Sequence, residues 1–163
     1  MSWIGERVHD PGLLDAYVEV ADLASWSDWA PLVEAVPWAP REPGVFLLRE
    51  PATQQVVHVG MAGERAGGGG RPQGLYGRLT ELCSGHAAVG GFAEAALDRA
   101  LADPDWVSAQ VQAGPRRARR WAADAIRRLE PDVSWAERPE RADAKLLADR
   151  VELLLRPHGL WHR

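Results

Sequence analysis

Arg116, Arg117, Arg119, Arg120, Arg127 and Arg128 crowd into one short stretch, the strongest electrostatic feature of the chain. At helical spacing Arg116, Arg120 and Arg127 share a side, opposite a stripe of Trp121, Ala125 and Leu129. Such a face can follow a phosphate backbone, each contact adding salt-dependent affinity without reading sequence. Asp124 and Glu130 are close enough to neutralise part of it, so the same stretch also fits a solvated helix face. His58 has a second chemistry: an imidazole with an ordinary pKa near ~6.5 accepts a proton from water around neutral pH. Its alternation with Val57 and Val59 equally suits a half-buried strand histidine. Arg78 can pair with a phosphate through charge-assisted hydrogen bonds, and Tyr76 beside it offers a phenol; an ordinary solvated helix arginine has the same appearance. Three further signals carry little. The run Gly67 to Gly70 lacks the Gly-Lys-Ser/Thr of a phosphate loop. His158 and His162 have a metal-clamp spacing, but Pro157 and Gly159 oppose a helix there. Cys83, the sole cysteine, reads as buried filler, and one cysteine excludes both a disulfide framework and a cysteine-built zinc site.

The elements that must position these groups lie within 163 residues, enough for one domain with a substantial core. Hydrophobic residues make up 46% and charged residues 26%, and no apolar run approaches the ~20 residues of a membrane span. The start, MSWIGERVHDPGLL, lacks a basic segment followed by an apolar one, so a signal peptide is not expected and a cytoplasmic location is. A net charge of −4 argues against a simple basic protein that coats nucleic acid, although charge can be segregated locally. Of 19 cationic side chains only Lys145 is lysine, and arginine's planar fork suits phosphate better than a point charge; a GC-rich coding sequence explains the same bias.

Residues 1–43 read as a helical, tryptophan-rich N-terminal extension. Leu23, Trp26, Ala30 and Val33 recur at helical spacing, and Trp3, Trp26, Trp29 and Trp38 are expected to form a packing layer. Pro37, Pro40 and Pro43 then deliver an extended chain to Gly44. The runs GVFLLRE and VVHVGMA, separated by PATQQ, predict a hairpin. The glycine-rich GERAGGGGRPQG predicts a loop, and LYGRLTELCSG a helix with Leu75, Leu79 and Leu82 on one face. A second helix spans 91 to 103 and ends at Pro104; a third begins with Pro115 at its first position and stops at Pro131. VSWAE predicts a third strand, and Ala142 to Arg156 a last helix with Leu147, Val151, Leu154 and Leu155 inward. The fold class is therefore α/β (α+β), a small three-stranded sheet packed by helices, with the sheet domain over residues 44–163.

Gly44-Val45-Phe46 opening the first strand, His58-Val59-Gly60 in the second and Arg78 on the following helix occur in an order that resembles the GIY-YIG nuclease family. The resemblance runs from Gly44 to the C-terminus and is closest between Gly44 and Leu82; the long glycine-rich insertion is similar to the restriction-endonuclease branch. By position it assigns the family glutamate to Glu152 and the closing asparagine position to His162. Phe46 and His58 stand where the family has tyrosines, and Leu82 stands where it has a histidine. The resemblance implies hydrolysis of a DNA phosphodiester with one divalent metal, Mg²⁺ or Mn²⁺, held by Glu152. A carboxylate is a hard oxygen donor of the kind Mg²⁺ prefers, and a metal there would polarise the phosphoryl oxygen. Arg78 and Tyr76 would grip the phosphate and His58 would stand in for a tyrosine in proton transfer. Phe46 can neither take nor pass a proton. Glu152 also precedes Arg156 by four residues, the spacing of an ordinary surface ion pair.

Two functions follow as expectations. One is a metal-dependent endonuclease acting on DNA, with RNA not excluded, in which Arg71, Arg116, Arg120 and Arg127 hold the backbone. The other keeps the scaffold without catalysis, as a module that binds nucleic acid or protein.

Overall fold

The structure, a computed structural model, describes residues 3–65, 70–86 and 91–161. Ala66 to Gly69, the centre of the expected glycine loop, and His162 lie outside the described residues. Helix α1 (Pro11–Asp22) starts where the Asp10 carboxylate accepts the Leu13 N–H, with Pro11 in the first turn. A two-residue strand β1 (Ala30–Pro31), the short helix α2 (Leu32–Ala35) and a 3-10 turn over Val36–Trp38 lead to the hairpin β2 (Gly44–Arg49) and β3 (Val56–Ala62). Then come α3 (Gly74–Cys83), α4 (Gly91–Leu101), α5 (Pro104–Gln112), α6 (Ala118–Leu129), β4 (Asp132–Glu137) and α7 (Arg141–Leu155).

The sheet has four strands in the order β1-β4-β2-β3, all pairs antiparallel, where the sequence predicts three. The added strand is too short to show period-two alternation. Leu23 to Trp29 is not helical, contrary to the spacing of Leu23, Trp26, Ala30 and Val33. Those residues follow the layer above the sheet instead. Trp3 packs against Trp26 and Trp29 at ring separations of 5.8 and 5.3 Å, and the Trp29 indole N–H donates to the Trp3 carbonyl at 2.8 Å. Pro104 does end α4, yet it also begins α5, because the Asp103 carboxylate caps the N–H groups of Asp105 and Trp106. Helix α6 begins three residues after Pro115 rather than on it, with Arg117 as its N-cap.

Both faces of the sheet are covered. Alternation sends Phe46 and Leu48 into a core with Leu75, Leu79 and Leu82 of α3, Phe92 and Ala96 of α4 and Ile126 of α6. Val45, Leu47 and Val59 face the other way, into a core with Tyr17 and Val20 of α1 and Leu147, Val151 and Leu155 of α7. Residues before Gly44 contribute to both cores, through Leu32 and Ala35 on one side and α1 on the other. Tyr17 ties α1 to the sheet: its buried phenol oxygen accepts the Val56 N–H at 2.6 Å, and burial raises its pKa. Helices α3 and α7 thus lie on opposite faces, and both reach the end of the edge strand β3. Among the described residues no helix is long and apolar enough to cross a membrane.

Candidate functional site

At that end of β3 the chain leaves the sheet through Gly63, Glu64 and Arg65, and an open cleft of about 740 Å³ forms there. Its lining is Met61, Gly63, Glu64 and Arg65 from the strand end, Arg78 and Glu81 from α3, and Arg141 from the start of α7. Local chemistry fixes each part. Leu75, Leu79 and Leu82 bury one stripe of α3, which leaves Arg78 and Glu81 on its cleft-side flank. A Cβ on Gly63 would stand 2.9 Å from Cδ of Arg141, so the bare glycine leaves room for the arginine stem to lie across the strand end. Glu64 joins the two helices: its carbonyl accepts the N–H groups of Gln73 and Gly74 at 2.9 and 3.3 Å, and its Oε1 accepts the Arg141 N–H at 3.1 Å.

The next amides of α3 are consumed as well, Leu75 N–H by the Glu42 carbonyl and Tyr76 N–H by that of Pro40. The start of α3 therefore has no amides left for an anion, and any grip on one must come from side chains. Three guanidiniums face two carboxylates in the cleft. Glu81 Oε2 lies 3.4 Å from Arg78 Nη1, and the N-terminal end of α7 adds partial positive charge beside Arg141. The balance favours an anion with several acceptor oxygens, such as a phosphate. Arg71 lines an adjoining hollow of about 470 Å³ with Gly70 and Pro72, and that hollow shares Glu64 and Arg65 with the cleft.

Of the residues singled out from sequence, Arg78 lies in the cleft and Arg71 borders it. Tyr76 does not join Arg78. Two residues apart on a helix point about 200° from one another, and Tyr76 turns to the far flank of α3, where the Arg41 guanidinium lies 4.2 Å above its ring. His58 points into the first core among aromatic rings, 5.8 Å from Phe46 and 5.5 Å from Phe92. Phe92 in turn stacks on Trp161, which carries the Arg99 guanidinium on its ring. Phe46 is buried flat against Gly60, its direct partner across the hairpin; a Cβ on Gly60 would fall 2.2 Å from the ring. The two motif triplets therefore face each other at one pair, Phe46 and Gly60, and that pair is a packing contact.

Glu152 is separated from Arg78. It sits eleven residues beyond Arg141, about 16 Å along α7, on the helix that covers the opposite face of the sheet. Its carboxylate takes the Arg156 guanidinium at 2.9 Å, the ordinary surface pair that the i,i+4 spacing allows. The described partner of this carboxylate is thus a cation rather than a second oxygen donor of the kind a divalent metal shares. Among the described residues no group of three or more His, Cys, Asp or Glu side chains converges as a metal site. On α6, Asp124 holds both Arg116 at 3.0 Å and Arg127 at 2.9 Å, so those two guanidiniums are partly neutralised, while Arg120 is exposed. None of the three lines the cleft. Cys83 is inert filler, its thiol pushed up to about 11 by burial.

The cleft residues that the sequence reading missed are Arg65, Arg141, Glu64 and Glu81. Arg141 stands one residue before the helix expected from Ala142, and Arg65 follows the second strand; nothing in the linear order shows that those two ends meet. No family model, no curated protein and no solved structure matches the chain.

Proposed function

We propose that the chain binds the phosphate backbone of a nucleic acid at the arginine cleft, as a binding module rather than as a hydrolase. The observation that carries this reading is the convergence of Arg65, Arg78 and Arg141, from three separate segments, on one open cleft. Planar guanidiniums take phosphate oxygens through paired, charge-assisted hydrogen bonds. An open cleft continued by the hollow at Arg71 suits a polymer better than an enclosed pocket would. The succession of hairpin, arginine-bearing helix, further helices, strand and last helix is the order read from the sequence. Hydrolysis has less support: Phe46 carries no proton, His58 is set among aromatic rings, and the acid assigned by position is paired with Arg156 on another surface.

The test is fluorescence anisotropy with labelled single- and double-stranded oligonucleotides across a salt series. Arg78→Ala and Arg141→Ala should each weaken binding and lower the salt slope by about 1. Wild-type protein without salt-sensitive binding, or with binding indifferent to all three arginines, overturns the reading. Plasmid nicking in Mg²⁺ or Mn²⁺ that disappears in Glu152→Ala would restore the hydrolytic one.

A further inference from the structure

We infer that Trp38 is a stacking platform for an unpaired base of the strand whose backbone the arginine cleft holds; this rests on the function proposed above. Trp38 is 83% exposed, whereas the other seven tryptophans are half-buried. The expected packing layer therefore includes Trp3, Trp26 and Trp29 but not Trp38. Its ring is presented by a fixed backbone. The 3-10 turn that ends at Trp38 packs against α3, Ala39 is buried in the first core, and the Pro40 and Glu42 carbonyls accept N–H groups of α3. A backbone already fixed by such contacts adds little ordering cost when a flat partner covers the indole.

Arg41, three residues after Trp38, stacks over Tyr76 and donates to the Gln73 side chain, and Gln73 is two residues from Arg71. Arg41, through Gln73, and Arg71 thus lead from the turn of Trp38 around the start of α3 to the hollow that shares Arg65 with the cleft. The combination of aromatic platform and cationic track is what a single strand needs, because every base offers a π-face and every linkage a phosphate. A duplex keeps its base faces covered by their neighbours, so an indole reaches only unpaired bases. DNA and RNA share this chemistry.

Trp38→Ala should weaken binding of a short oligo(dT) or oligo(rU) by about fivefold or more, in line with the loss of one base–aromatic stack. Trp38→Phe should keep most of the affinity. An abasic oligonucleotide with the same phosphates should bind wild type and Trp38→Ala alike. If Trp38→Ala binds oligo(dT) like wild type while Arg78→Ala is impaired, the inference fails and the cleft reading stands. Equal losses on abasic and base-bearing strands also overturn it, since the ring would then act on the backbone or on the fold. If wild type binds no oligonucleotide, both fall, and the exposed indole is left to a protein partner.

Discussion

The Glu64 carboxylate accepts the backbone N–H of Arg141 at 3.1 Å, so a residue at the end of β3 caps the helix that begins more than seventy residues later. Glu140, the N-cap of α7, makes no side-chain cap bond itself, and Glu64 supplies the missing acceptor. Glu64→Ala should lower stability by about 0.5–2 kcal/mol, the range for losing a helix cap. Glu64→Gln keeps a carbonyl oxygen in place while removing a negative charge from the cleft. It should hold stability within about 0.5 kcal/mol and tighten oligonucleotide binding. Urea unfolding and anisotropy on both variants check this; equal stability of the two would mean that the bond contributes nothing.

Glu152 tests whether position in sequence or position in space assigns function. With side-chain exposures of 36% for Glu152 and 70% for Arg156, their pair is a surface ion pair. Glu152→Ala should change stability by no more than about 0.5 kcal/mol and leave the affinity for nucleic acid and its salt slope at wild-type values. A marked loss of binding in this variant would show that the last helix contributes to the interface after all.

What could be read from the sequence was local. The hairpin, the α3 stripe of Leu75, Leu79 and Leu82 and the last strand and helix carry periodicities long enough to survive folding, and they lie where expected. Leu23, Trp26, Ala30 and Val33 keep a helical spacing by chance, since the chain carries them through a loop, the strand β1 and the short helix α2. Asp103-Pro104 is both stop and start, and only the start depends on an aspartate cap that hides behind the proline. The cleft is the least legible feature. Its three arginines come from a strand end, a helix middle and a helix start, and their meeting depends on an edge strand that lets α3 and α7 reach the same corner from opposite faces. Glu152 and Tyr76 fail for the opposite reason: closeness in a motif does not place side chains on the same flank.

The cap of α5 should weaken in acid. The Arg128 side-chain hydrogen bond, then the Trp106 and Asp105 amides, hold the Asp103 carboxyl below its ordinary value of 3.8. A carboxyl depressed in the folded state contributes stability that is fully present above its unfolded pKa and is lost as pH falls through the folded one. Asp103→Asn retains a cap oxygen but no charge. The stability difference between wild type and this variant, followed by urea unfolding from about pH 5 to about pH 2, should shrink steadily as pH falls below the ordinary carboxylate range. A gap that stays constant would place the acid sensitivity elsewhere.

The pairing of Phe46 with Gly60 gives the two motif triplets a structural meaning that can be measured. Adding a methyl at Gly60 places carbon 2.2 Å from Phe46 Cζ, and overpacking of this kind costs about 1–3 kcal/mol. Phe46→Ala removes a ring that is 1% exposed and should cost about 3–5 kcal/mol. In the double variant the new methyl enters the space the ring has left, so the two losses should not add: a coupling of about 0.5–3 kcal/mol is expected from residues in direct contact. Urea unfolding of the four proteins in the cycle measures that coupling. Strict additivity would mean that the ring does not rest on the glycine and that packing does not account for the aromatic and glycine facing each other across the hairpin.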